Sequence, residues 1–115
     1  MATPPGSVLP GTLELLILRA LGTGELHGLG VARRIQQMTK GVFDVKAGSL
    51  FPALHRMERA GWLRSVWDET DGGRRARFYE LTATGRRRLR AETREWAETT
   101  SLMERFTSVK AEDLP

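Results

Sequence analysis

Cysteine is absent from the 115-residue chain, so neither a disulfide framework nor a thiolate metal site can form. Histidine is scarce: His27 and His55 lie far apart and offer no metal-ligand spacing. The apolar stretch from Leu13 to Leu21 is too short to span a bilayer, and Glu14 and Arg19 interrupt it, so no membrane partner is expected. Residues 1–7 carry no basic segment ahead of an apolar one, so no signal peptide is expected and the expected compartment is the cytoplasm. There is no phosphate-binding glycine loop and no nucleophile paired with a base. Neither an enzyme nor a cofactor is therefore expected. Asp68, Glu69 and Asp71 sit in and beside a turn signal, where solvation explains them better than acid–base chemistry.

What is present is an ordinary globular composition, 40% hydrophobic and 28% charged, of a length that fits one domain. Eighteen Lys and Arg stand against fourteen Asp and Glu, a formal charge of +4. The surplus fits a polyanionic partner, and its position says more than its size. Arg74, Arg75 and Arg77 cluster, as do Arg86, Arg87, Arg88 and Arg90.

Periodicity divides the chain. A helix is expected after Thr12 as N-cap, with Leu13, Leu16, Ile17, Ala20 and Leu21 on one stripe and Leu15 and Leu18 off it. A second helix opens at His27-Gly28, with Leu29, Val31, Ala32, Ile35 and Met38 as its apolar positions; His27 reads as a structural element of that start. A third runs from Ser49, as N-cap, to Ala60. Pro52 argues for that start, because proline is tolerated in a first helical turn. Leu50, Ala53, Leu54 and Met57 share its inner face, and Pro52, His55, Arg56 and Arg59 the opposite one. Leu63–Glu69 and Arg75–Thr82, flanking Thr70-Asp71-Gly72-Gly73, predict a two-stranded hairpin with an arginine-rich tip; Trp62 and Trp67 read as core and hairpin packing. A final helix is expected from about Ala83 to Phe106, with Thr82 or Thr84 as cap. Leu89, Thr93, Trp96, Thr100 and Met103 form a heptad-like seam along it.

The expected fold is therefore mainly α (α+β): a winged helix-turn-helix with a long C-terminal dimerisation helix. The expected organisation is an N-terminal arm at 1–8, the winged domain at 9–82, the dimerisation helix at 83–107 and a frayed tail at 108–115. In this arrangement the second helix of the pair enters the major groove of duplex DNA. Lys46 and Ser49 would meet a phosphate at the helix start, and Pro52, His55, Arg56 and Arg59 would face the bases. Phe51, at the border of that face, would touch a thymine methyl or pack under the hairpin. Arg74, Arg75 and Arg77 would follow phosphates or a narrow minor groove, although the strand parity of Arg77 matches the inward-facing Tyr79 and Leu81. The Arg86–Arg90 run reads as a solvated helix face. The alternative function is a winged helix used for protein contacts without DNA.

His27-Gly28, the run from Gly48 to Gly61, Gly72-Gly73-Arg74-Arg75, and Phe78-Tyr79-Glu80-Leu81-Thr82 with Gly85 resemble the PadR family of bacterial regulators over residues 9 to 107. The family commonly has threonine at the place of Ser49 and tyrosine at that of Phe51. The single C-terminal helix resembles its small subfamily. The resemblance implies a homodimer on double-stranded DNA, usually a repressor and often released by a small molecule. Some members of the subfamily sense drugs in an apolar pore between protomers, with a tryptophan aligned to Trp96. Leu15, Thr93, Trp96 and Thr100 are thus candidate contacts for a small hydrophobic or aromatic effector; interface packing explains Trp96 equally well.

Replacing Arg56 and Arg59 together by alanine is expected to weaken operator binding by roughly 1–3 kcal/mol for each bidentate arginine–guanine pair lost. A gel-shift titration reads this directly, and an unchanged affinity would remove base reading from this helix face.

Overall fold

The computed structural model describes residues 11–115, and the expected N-terminal arm lies outside them. The element order is α1 (Thr12–Leu21), β1 (Leu26–His27), α2 (Gly28–Met38), α3 (Ala47–Arg59), β2 (Leu63–Glu69), β3 (Arg75–Leu81) and α4 (Ala83–Ser108), then a short 3-10 turn at Ala111–Asp113. The three strands form one antiparallel sheet in the order β1-β3-β2. Leu63 faces Leu81 at the base of the hairpin, and Glu69 faces Arg75 near its tip. The mainly helical winged helix-turn-helix with a long last helix is the architecture expected.

The core explains the arrangement of the helices. Ile17 and Leu18 of α1 are fully buried in one core cluster with Val31, Ile35, Leu50 and Leu54. Leu18 lies off the expected apolar stripe, yet it is core because α1 is packed by α2, α3, α4 and β3 together. A helix surrounded in this way needs apolar residues on more than one side. Leu29 and Met38, at the two ends of α2, are exposed rather than buried.

Local chemistry sets the boundaries. The Nδ1 atom of His27 accepts from the backbone N–H of Gly30 at 3.0 Å, capping α2. Thr12 is the first residue of α1 and not its cap, which is Gly11. The third helix begins earlier than the proline suggested: Lys46 is the N-cap and Ala47 the first residue. Ser49 thus lies inside the first turn, its N–H bonded to the carbonyl of Lys46 at 3.0 Å. Pro52 falls in the second turn, where its missing N–H forfeits one bond to the carbonyl of Gly48, an exposed residue. The strand β1 was not foreseen. It is two residues long and exists only through pairing Leu26 with Tyr79 and His27 with Phe78.

Thr82 joins α4 to the rest. Its Oγ1 donates to the carbonyl of Gly61 at 2.6 Å and accepts from the N–H of Gly85 at 3.0 Å, while its own N–H reaches the carbonyl of Trp62 at 3.0 Å. Gly85 is the one buried residue of α4. The 26-residue helix is about 39 Å long at 1.5 Å per residue, and its residues from 93 onward are exposed.

A methyl group at Gly85 would lie 2.0 Å from the carbonyl oxygen of Trp62 and 2.9 Å from its carbon, and neither is the end of a flexible side chain. Gly85→Ala should therefore destabilise the fold by about 3 kcal/mol, as overpacking against a fixed backbone does. The expected sign is a Tm lowered by about 10 °C, measured by thermal circular dichroism; an unchanged Tm would mean that α4 can shift off the β2 entrance freely.

Candidate functional site

The rotation of α3 decides which side chains it offers. With Leu50, Ala53, Leu54 and Met57 buried, Pro52, His55, Arg56 and Arg59 are exposed, as the helical period requires. Facing α3 across a groove of about 720 Å³ stands the hairpin of β2 and β3. The start of α2 forms a third side of this groove, through His27, Gly28 and Leu29. Phe51 lies against Gly28 so closely that a Cβ there would meet its ring at 2.6 Å. The absence of a side chain at Gly28 is what lets α3 approach α2 here.

The groove gathers five of the side chains expected to contact DNA: Phe51 and His55 from α3, and Arg74, Arg75 and Arg77 from the hairpin. Lys46, Ser49, Pro52, Arg56 and Arg59 do not line it, although all five are exposed. Lys46 bonds the Asp44 carboxylate at 2.6 Å just ahead of α3. Arg56 turns toward α1 and donates from Nη2 to Glu14 at 3.0 Å, beside a separate cleft of about 400 Å³ that also touches Trp62, Arg88 and Glu92.

Arg77 is bound within the protein. Its Nε donates to Ser65 Oγ at 2.7 Å, its Nη2 lies 3.5 Å from Glu58, and the Ser65 hydroxyl donates to Glu58 at 2.6 Å. Glu58 belongs to α3, Ser65 to β2 and Arg77 to β3. Three side chains thus tie α3 to both strands of the hairpin. Beneath them lies Tyr79, buried, its phenol pushed above the ordinary 10.0 by burial first, with Arg77 opposing and Glu58 reinforcing the rise.

Trp67, Leu29 and Arg33 also line the groove and escaped the sequence reading. Trp67 is 58% exposed and carries the Arg75 guanidinium over its ring, 5.3 Å from the centroid. A signal did exist: Trp67 shares strand parity with the buried Leu63 but lies four residues further along, past the rim of the core.

Leu15 and Trp96 meet in a cleft of about 320 Å³ between α1 and α4. Thr93 and Thr100 do not line it; Thr93 donates to the carbonyl of Leu89 at 2.7 Å. Trp62 is half-buried and packs against the edge of the core, with Arg88 stacked on its ring at 4.7 Å and bonded to Glu92 at 2.8 Å. Among the described residues no group of three or more His, Cys, Asp or Glu could hold a metal ion, and no helix is long and apolar enough to cross a membrane.

Comparison with known proteins agrees with this architecture. The model of the transcriptional regulator PadR-like family matches residues 17–91. The transcriptional regulator Rv3488 of Mycobacterium tuberculosis is 34% identical over 82 residues, which cover 71% of this chain and 73% of that protein. A PadR family transcription regulator from Clostridium difficile R20291 has a similar structure, with a TM-score of 0.74, 28% identity, and coverage of 85% of this chain and all of that one. A transcriptional regulator from Clostridium thermocellum superposes with a TM-score of 0.75 at 25% identity, over 84% of this chain and 93% of that one.

Tyr79 is the single tyrosine of the chain, so its ionisation can be followed alone. A folded pKa raised above the unfolded one favours the folded state fully below about pH 10, and the benefit is lost as pH climbs through the folded value. Tyrosinate absorbance should therefore titrate above the free-tyrosine midpoint, and Tyr79→Phe should flatten the alkaline fall in Tm. A midpoint at or below the ordinary value would contradict the burial of this ring.

Proposed function

Because the chain belongs to the transcriptional regulator PadR-like family, we propose that it is a sequence-specific reader of duplex DNA that represses transcription by occupying a promoter as a homodimer. One observation carries the reading: α3 and the arginine-tipped hairpin border a single groove, so that His55 of the helix and Arg74 and Arg75 of the wing address the same surface. The major groove is wide enough for a helix, and wing arginines suit the negative potential of a narrow minor groove.

Each side chain then has a role. Lys46 and Ser49 meet a phosphate at the start of α3, Phe51 and Pro52 border the bases, and His55, Arg56 and Arg59 read base edges. Arg56 must first leave Glu14, a half-exposed pair whose rupture costs about 1 kcal/mol or less. Arg74 and Arg75 follow the backbone, and Arg77 joins them only by giving up Glu58 and Ser65.

The second copy is supported by the far half of α4, where Trp96, Leu102, Met103 and Phe106 are about half exposed or more. Paired through α4 and α1, two protomers would place their α3 helices on half-sites about 10 bp apart in a pseudo-palindrome. A small hydrophobic or aromatic effector between the protomers, against Leu15 and Trp96, would alter that spacing and release the operator. Thr93 and Thr100 would border it from the α4 seam. The cytoplasm is the compartment this role requires.

Sedimentation equilibrium at micromolar concentration should give twice the chain mass. Affinity for a duplex selected by the protein should fall by roughly three orders of magnitude between about 50 and 200 mM salt, as for a contact to six or more phosphates. A particle that stays single, or binding indifferent to salt, would overturn the reading.

A further inference from the structure

The groove between wing and α3 has a chemistry that phosphate contact alone does not explain. Four arginines border it, Arg33, Arg74, Arg75 and Arg77, against one carboxylate, that of Asp71 in the turn. Apolar side chains share the lining: Leu29 from α2, Phe51 from α3 and Trp67 from β2. Leu29 and Trp67 are each more than half exposed, so this apolar surface faces the space and not the core. Arg77 is held by Glu58 and Ser65, which leaves Arg33, Arg74 and Arg75 without an ion-pair partner among the described residues.

A duplex supplies one occupant with matching chemistry. Major and minor grooves are separated by a single sugar–phosphate strand. If α3 enters the former and the wing tip the latter, the space between them must straddle that strand. A sugar–phosphate strand combines an anionic group with an apolar deoxyribose, and the groove lining offers both cations and apolar side chains.

We propose that Trp67 is a DNA-contacting residue, packing its ring against a deoxyribose of the straddled strand while Arg75, stacked on the same ring, pairs with the adjoining phosphate. The contact is apolar on one partner and ionic on the other. Deleting each therefore leaves a different mark. Loss of the tryptophan removes buried apolar area and releases no counterion. Loss of the arginine removes one phosphate contact and lowers the salt slope by about one unit. The proposal rests on the duplex-binding reading, and the experiment separates the two.

Binding of a fluorescein-labelled duplex selected by the full chain is measured by anisotropy at several salt concentrations. Trp67→Ala should weaken binding about tenfold at every salt concentration, as partial loss of aromatic burial would, with Trp67→Phe recovering most of it. Arg75→Gln should flatten the salt dependence. A second readout follows acrylamide quenching of tryptophan fluorescence in the full chain, excited at the red edge where Tyr79 does not absorb, with the signal of the Trp67→Phe chain subtracted: the duplex should shield the Trp67 component. This signal would not change if Trp67 merely stiffened the hairpin. Wild-type binding with Trp67→Ala within twofold of it, or quenching unchanged by saturating duplex, overturns the proposal and leaves the duplex-binding reading standing. A wild-type chain that binds no duplex overturns both. An unpaired strand that binds as tightly as the duplex, and depends on Trp67, replaces the deoxyribose contact with base stacking and overturns the proposal as well.

Discussion

The burial of Leu50, Ala53, Leu54 and Met57 is the constraint on which the working surface depends. These four residues fix the rotation of α3 about its own axis against α1 and α2. Each large apolar side chain so buried contributes about 1.5–3 kcal/mol. A rotation bringing His55 or Arg59 inward would forfeit that and also desolvate charge. The identity of the exposed face is thus a consequence of the core. Ile17 and Leu18, fully buried in α1, hold the other side of the contact. The central placement of α1 lets one short helix orient three others.

The wing is positioned by a different kind of force. Its base is apolar: Leu63, Tyr79 and Leu81 are buried where the strands leave the domain. Above that base the tie among Glu58, Ser65 and Arg77 connects the hairpin to α3 by directional bonds. Beyond Arg77 the hairpin is held by its own ladder and by the turn, where the Thr70 N–H donates to the carbonyl of Arg74 and the Arg74 N–H donates to the Thr70 hydroxyl. The hairpin is anchored at its root and middle, while its tip arginines keep the freedom to follow a backbone. Such a gradient suits contact with a deformable polymer.

Much of this was legible from local pattern. The α3 face, the hairpin and its turn, the His27 start and the Thr82 cap all follow from periodicity or capping chemistry within a few residues. What was not legible depends on partners distant in the chain. The strand β1 has no pattern of its own and exists because Tyr79 and Phe78 are there to pair with it. Leu18 is core because α2, α3, α4 and β3 pack α1 on several sides at once. Arg56 meets Glu14 across 42 positions of sequence, and no spacing rule reports that. Trp67 resembles Leu63 in parity, and only the height of the core rim separates a packing residue from an exposed one. The start of α3 at Ala47 was obscured because Pro52 is tolerated one turn deeper than its usual place.

The ion pairs decide which cations the surface presents. Arg56, Arg64, Arg77 and Arg88 are each matched to a glutamate from the same fold, and Lys46 to Asp44. These pairs are partly exposed and each contributes little to stability. Their larger effect is on the pattern of charge. With those five paired, thirteen of the eighteen Lys and Arg form no ion pair among the described residues, and Arg33, Arg74 and Arg75 are the three of them that border the groove between α3 and the wing. A net charge of +4 spread evenly would attract a polyanion without orienting it. In the groove these three arginines share the lining with a single carboxylate, Asp71, and with the apolar side chains of Leu29, Phe51 and Trp67. A mixed lining of this kind suits a partner that is both anionic and apolar, and a nucleic-acid backbone has that composition.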